Sequence, residues 1–251
     1  MHQFFVEPYQ IQEAERRVII LGSDVNHIKN VLRMKTGEEI AISNGTDKKE
    51  YRCGIAEFKE DSIICELRFI KEDGVELVSK IYLFQGLPKA DKMELIIQKA
   101  VELGAYQVIP METKRAIVKL DEKKAKSKVE RWNSIAEAAA KQSKRRVIPE
   151  VTSVKTMKEA IAFAKDMDVK MIPYELAEGM QKTREIIDNI RPGQSVAVFI
   201  GPEGGFDESE IQLAVENGIL PITLGKRILR TETAGFTTLA WIMYQLEISM
   251  L

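Results

Sequence analysis

The chain has 251 residues, 45% apolar, 30% charged and 7% aromatic, a composition that excludes a disordered or fibrous protein. No apolar run approaches the roughly 18 residues a membrane span needs, and the opening MHQFFVEPYQ lacks the basic-then-apolar pattern of a secretory leader, so a cytoplasmic protein is expected. Net charge is only −1, from 37 Lys and Arg against 38 Asp and Glu, yet Thr113 to Glu150 holds 12 basic and 5 acidic residues; such a segment suits either a face that touches a polyanion or a solvated helix face.

Strand signals come first. EEIAIS (38–43), YRCGIAEF (51–58) and SIICELRFI (62–70) are rich in β-branched and aromatic residues, and Asn44-Gly45 marks a turn between the first two. Ser23 is placed to cap a helix through His27, Ile28, Val31 and Leu32. Cys53 and Cys65, without CxxC spacing, read as reduced, half-buried packing residues. This pattern predicts a small β-rich barrel over residues 1–72, and the polar stretch that begins at Lys71 starts the second domain, 73–251.

From Lys80 strands and helices alternate. IYLFQG (81–86) precedes a helix from Asp91 to Leu103, with Asp91 and Glu94 as a capping box and Gly104 as a stop. YQVIP (106–110) is the next strand. The basic segment then carries a long helix whose apolar stripe is Ala125, Val129, Trp132, Ala136 and Ala139. Thr156 and Glu159 cap another helix; VKMIPYE, a helix to Ile190, SVAVFIG, a helix from Asp207, the strand PITLG and a helix from about Thr233 follow. Alternation of this kind predicts a parallel sheet with helices on both faces, and ligands in such sheets bind beyond the carboxyl ends of strands. Chemistry is therefore sought at three junctions: Tyr174-Glu175, Gly201 to Gly205, and Gly225 to Thr233.

At the second junction, VFIGPEGGF runs from a buried strand through a glycine-rich turn into a helix capped by Asp207 with Glu210. The spacing is neither GxGxxG nor a Walker loop, and Glu203 would repel phosphate, so a ligand with a neutral or cationic portion suits the turn. Twenty residues later LGKRILRTETAG sets arginine, hydroxyl and carboxylate groups before an apolar helix. Helix capping accounts for Thr231 or Thr233 but needs neither Arg230 nor Glu232.

GPEGGF, LGKRILRTETAG and LPKADKMELIIQKAVELGA, together with HIKNVLRMKTGEEI, Arg115 and RWNSIAEAAAKQSKR, resemble the SPOUT-superfamily 16S ribosomal RNA uridine-N3 methyltransferases of the small subunit. The resemblance spans nearly the whole chain. It implies a PUA-like RNA-binding barrel followed by an α/β SPOUT methyltransferase domain with a carboxyl-terminal trefoil knot, a rare exception to unthreaded connections. It also implies S-adenosylmethionine held by Tyr174 and Glu175, by Ile200, Gly201, Pro202, Glu203 and Gly204, by Leu224 and Gly225, and by Ile228, Leu229, Arg230, Thr233 and Ala234. Gln3 stands where family members commonly carry an arginine, and Ala138 and Lys141 where they carry a carboxylate.

Methylation at uridine N3 requires loss of the N3 proton and stabilisation of charge on the ring oxygens. Arg230 fits the second task, while Glu232 or Glu203 fits the first. Arg33, Lys141, Lys144, Arg145 and Arg146 are the candidates for phosphate contacts with 16S ribosomal RNA in the small subunit. A homodimer is implied by the family and by the apolar final helix, with Leu239, Trp241, Ile242, Met243 and Leu246; neither metal nor membrane is expected. Two other readings are a non-catalytic RNA-binding assembly factor, which the intact GPEGG and RILRTETA segments disfavour, and a methyltransferase acting on another RNA atom.

Overall fold

Period-two alternation of buried residues builds the amino-terminal strands Arg17–Leu21 and Ser62–Lys71, whereas Glu39–Ser43 and Glu50–Phe58 are buried in continuous runs. In a computed structural model, which describes residues 1–72, 74–174, 177 and 179–249, the amino-terminal strands are β1 (His2–Phe5), β2 (Ile11–Gln12), β3 (Arg17–Leu21), β4 (Glu39–Ser43), β5 (Glu50–Phe58) and β6 (Ser62–Lys71). They form one sheet in the order β1-β4-β5-β6-β3-β2, antiparallel apart from the β1–β4 pair. β1 and β2 remain its two edges, so the expected barrel is a curled sheet, and register shifts at Arg52/Cys53 and Ile55/Glu57 give β5 the local bends that curling needs. Its inner face packs Val18, Ile20, Ile40, Ile42, Ile55 and Ile63 against Ile28. Cys53 and Cys65 lie fully inside this core rather than half-buried, and burial pushes both thiols up to about 12.

The short helix differs from expectation. It begins as α1 (Ser23–Asn26) with Gly22, not Ser23, at its N-cap, and continues as a π-turn over His27–Val31. The Asn44-Gly45 turn forms as expected: Asn44 Oδ1 accepts from the Thr46 and Asp47 amides at 3.0 Å each, and Gly45 takes φ +77°.

The chain divides into two units, Met1–Glu76 with Ala140–Ile148, and Leu77–Ala139 with Pro149–Leu251. The segment 140–148, which the sequence pattern assigns to the second domain, thus belongs to the first unit. It is fastened there by polar groups. Ile148 N donates to Gly45 O at 3.1 Å, the Gln3 side chain to Arg145 O at 2.6 Å, and Arg146 Nη1 to Lys71 O at 2.8 Å.

In the second unit all strand pairs are parallel. β7 (Lys80–Gly86), β8 (Gln107–Glu112), β10 (Lys155–Thr156), β11 (Val169–Pro173), β12 (Ser195–Ile200) and β13 (Leu220–Ile222) run in the order β10-β8-β7-β12-β11-β13, with β9 (Glu150–Val151) also on β8. The central pair β7 and β12 is almost wholly apolar, as a strand covered on both faces must be, and Phe84 stacks on Phe199 with centroids 4.3 Å apart. The helices are α2 (Lys92–Glu102), α3 (Glu122–Gln142), α4 (Met157–Phe163), α5 (Met180–Asp188), α6 (Glu208–Glu216) and α7 (Thr231–Ile248). Capping boxes close α4 at Thr156/Glu159 and α6 at Asp207/Glu210, as expected. The one expected at Asp91/Glu94 does not form, because the Arg131 guanidinium takes both Glu94 oxygens at 2.6 and 2.8 Å. Among the described residues no helix is long and apolar enough to cross a membrane.

Candidate active site

Three strands, β11, β12 and β13, end beside one another, and the loops that leave them enclose a cavity of about 630 Å³. Its walls are Pro173 and Tyr174, the stretch 200–206, the stretch 223–231, Ala234, and two residues from other parts of the second unit, Lys92 and Arg115. The glycines shape it in two ways. Gly205 and Gly225 adopt φ +66° and +108°, conformations that favour glycine. At Gly86 and Gly201 the reason is crowding: an added Cβ would lie 2.6 Å from Pro202 Cδ in one case and 3.0 Å from the Gly205 carbonyl carbon in the other.

Thr231 ties these loops together. Its hydroxyl donates to Gly201 O at 2.6 Å and accepts from the buried Gln85 Nε2 at 2.9 Å, so it is a brace between β7, the loop after β12 and the start of α7, not a helix cap. α7 begins there, with Arg230 at its N-cap and no side-chain cap, rather than at Thr233.

The charged groups are arranged around Lys92. Its Nζ lies 3.0 Å from Glu203 Oε1 and 3.5 Å from Glu232 Oε2. The Lys89 amide reaches the two Glu203 oxygens at 3.2 and 3.3 Å. Desolvation pushes the Glu203 carboxyl up, but hydrogen bonds from Lys92, its own amide and the Lys89 amide outweigh it and hold the group below the usual carboxylate range. Lys92 is held above the ordinary lysine value, first by its hydrogen bond to Glu203 and also by the charges of both carboxylates, against the desolvation that lowers it. Glu203 is thus a neutralised anion, which answers its expected repulsion of negative ligands. Glu232 differs, since its buried Oε2 has no hydrogen-bond partner among the described residues. The Arg230 side chain is on the cavity wall with neither a hydrogen bond nor an ion pair among the described residues, which leaves its donors for a ligand.

The structure therefore brings together Tyr174, Ile200, Gly201, Pro202, Glu203, Gly204, Leu224, Gly225, Ile228, Leu229, Arg230 and Ala234. Thr233 is exposed and not on the wall, Glu232 meets the cavity through Lys92, and Glu175 lies outside the described residues. The size suits a nucleoside-sized ligand. So do the apolar Ile200, Leu224 and Leu229, the glycine backbone and the unshared donors of Arg230, which match a base, a ribose and an amino-acid moiety.

Residues 75–243 match the RNA methyltransferase domain family, and residues 20–68 match the RNA methyltransferase PUA domain. Over 253 aligned positions the chain is 39% identical to ribosomal RNA small subunit methyltransferase E of Bacillus subtilis, covering 99% of this chain and 98% of that protein. The chain belongs to the ribosomal RNA small subunit methyltransferase E family. Ribosomal RNA small subunit methyltransferase E of Neisseria gonorrhoeae, crystallised with bound S-adenosyl methionine, is similar with a TM-score of 0.82 and 29% identity over 97% of both chains. A Legionella pneumophila protein in complex with the same cofactor gives 0.80 and 31%, over 97% of this chain and 95% of that one.

In this member of the methyltransferase E family most of the cavity wall consists of residues that the sequence singled out, but sequence reading missed Lys92, Gln85 and the bracing role of Thr231. Lys92 stood inside LPKADKMELIIQKAVELGA, one of the segments that carried the resemblance, without any local sign of its use. The RNA candidates separate more sharply. Arg33 and Lys144 are exposed, and both take positive φ, +52° and +59°. Lys141 is half-buried and 3.8 Å from Asp24 Oδ2. Arg145 and Arg146, expected on a basic helix face, instead follow the end of α3 and are only 5% and 2% exposed. Arg145 Nη2 donates to Glu76 Oε2 at 2.6 Å, and the Arg146 amide to Glu76 Oε1 at 2.9 Å. Guanidinium groups committed in this way are fasteners of the first unit and do not present themselves to phosphate.

Proposed function

We propose that this protein transfers a methyl group from S-adenosylmethionine to N3 of one uridine in 16S ribosomal RNA of the small subunit. The observation that supports this reading most is the cavity at the ends of β11 to β13, where GPEGG and RILRTETA converge with an unpaired arginine. The glycine loop 201–204, Tyr174, Leu224, Gly225, Ile228, Leu229 and Ala234 would hold S-adenosylmethionine. When bound, that cofactor supplies a methyl group carried on positive sulfur.

The chain's own residues supply the rest. Uridine N3 keeps its proton at neutral pH, so the ring becomes nucleophilic only when that proton leaves and the negative charge spreading to its oxygens is stabilised. Arg230, fixed at the N-cap of α7, donates to such an oxygen; a guanidinium stays protonated and is not the base. Glu203 is paired with Lys92, accepts from the Lys89 amide and is held deprotonated, whereas Glu232, behind Lys92, keeps free acceptor capacity, so Glu232 takes the proton through a water.

The carboxyl-terminal segment is threaded as the trefoil knot implied by the family resemblance. Two copies associate through α7: of the residues expected to support this, Leu239, Ile242 and Leu246 are buried within the chain itself, and half-exposed Trp241 and Met243 with exposed Tyr244 and Ile248 offer the apolar surface. The enzyme works in the cytoplasm. The deciding experiment incubates small subunits and naked 16S RNA with labelled cofactor and maps the product nucleoside. N3-methyluridine at a single position is expected; a ribose-methylated product, or no transfer at all, would overturn the reading.

A further inference from the structure

The cavity wall carries Lys92, Arg115, Lys226, Arg227 and Arg230 against a single carboxylate, Glu203, which Lys92 and the Lys89 amide already neutralise. Such a wall favours negative charge in the ligand. Of these cations Arg115 is tied to Gly204 O and Asp207, while Lys92 lies between two carboxylates, Glu203 and Glu232. A lysine ammonium has three donors. One serves Glu203 at 3.0 Å, and the contact with Glu232 at 3.5 Å is ionic without being a hydrogen bond, so Lys92 retains donor capacity while remaining part of the wall.

On the basis of the proposed uridine chemistry, we propose that Lys92 is a catalytic residue, the counter-ion that passes from Glu232 to a uracil oxygen as N3 loses its proton. In that step the N3–H bond breaks, a water beside Lys92 takes that proton and passes one of its own to Glu232, and an O–H bond forms on this carboxylate, which stands behind Lys92 rather than on the cavity wall. The electron pair stays on the ring, shared by N3 and the two carbonyl oxygens. Glu232 becomes neutral as the uracil becomes negative, so the charge facing Lys92 is conserved and only its position changes. Glu203 stays ionised throughout and acts as the anchor that keeps the ammonium in place.

The test uses the full chain with Lys92→Met, and with Lys92→Gln, which still donates to Glu203, as a second neutral variant should the first fail to fold. Cofactor affinity by calorimetry and affinity for small subunits by filter binding should stay within about threefold of the parent. The single-turnover rate with both ligands saturating should fall about 10²- to 10³-fold, the usual consequence of losing one well-placed charge stabiliser. Lys92→Arg should restore much of it, and in the neutral variants the rate should climb with pH beyond the point where the parent levels off. A rate within fivefold of the parent, with both ligands bound, would overturn the proposal and leave Lys92 a structural tie. A selective loss of cofactor affinity would also overturn it, by placing the ammonium on the cofactor carboxylate. Failure of the uridine reading itself is separate, since the parent would then yield no N3-methyluridine.

Discussion

Arg230 and Gly201 show how differently two neighbouring wall positions work. Arg230 has unshared donors and its value lies in geometry, so Arg230→Lys keeps the charge but loses the planar fork. At saturating cofactor and RNA its single-turnover rate should drop about 10²-fold, while calorimetric affinity for S-adenosylmethionine changes little. Gly201 contributes through what it lacks. A branched side chain there would meet the Gly205 backbone and the Phe206 ring before reaching the ligand space, since even a Cβ falls 3.0 and 3.2 Å from them. Gly201→Val should therefore lose cofactor binding and also about 1–3 kcal/mol of stability, the range for overpacking a filled site. Chemical denaturation alongside calorimetry separates this outcome from a simple block of the pocket, which would leave stability unchanged.

Two threonines near helix starts do opposite work at the level of the element. Thr156 is a cap in the ordinary sense: its hydroxyl accepts from the Glu159 amide, and the Glu159 carboxylate accepts in return from the Thr156 amide at 2.7 Å. Thr156→Ala should cost about 1 kcal/mol, read as a shift in urea midpoint, and should leave cofactor affinity alone. Thr231 starts α7 yet caps nothing, spending its hydroxyl on Gly201 O and Gln85. Thr231→Val keeps the shape but strips a donor from a loop carbonyl and an acceptor from a buried amide. A loss of about 1–3 kcal/mol is expected. Because the brace joins β7 to the cofactor loop, affinity should fall with it; unchanged affinity would mean that the loop holds its form without the brace.

For the whole molecule, the buried Arg145–Glu76 pair alters what charge reversal can report. Breaking such a pair strands a charge in the interior and typically costs about 3–5 kcal/mol. Arg145→Glu should thus unfold or badly weaken the first unit, visible in its melting profile, before any effect on RNA could be read. Exposed Arg33 and Lys144 allow the cleaner experiment. Their replacement by Glu should leave the melting curve unchanged, weaken RNA binding and flatten its salt dependence, by about 0.7 to 0.9 in log–log slope for each phosphate no longer neutralised. If affinity and slope match the parent, the RNA backbone is held elsewhere on the protein.

What the sequence by itself determined is whatever short-range chemistry specifies. Apolar runs marked β7 and β12, the Asp207/Glu210 and Thr156/Glu159 boxes fixed two helix starts, and GPEGG announced a turn that is crowded at Gly201 and takes positive φ at Gly205. Each of these needs partners only a few residues away, so local pattern suffices. The tertiary structure decided which polar groups meet. Glu94 looked like a cap but is held by Arg131, 37 residues on; Glu203, paired with Lys92, accepts from the Lys89 amide 114 residues back; Gln85 finds Thr231 across 146. Two basic residues in a run of positive charge, Arg145 and Arg146, are interior because Glu76 and the Lys71 carbonyl wait for them. A charge costs too much to bury alone, so its burial is set by a partner, and no window of sequence around either group contains that partner.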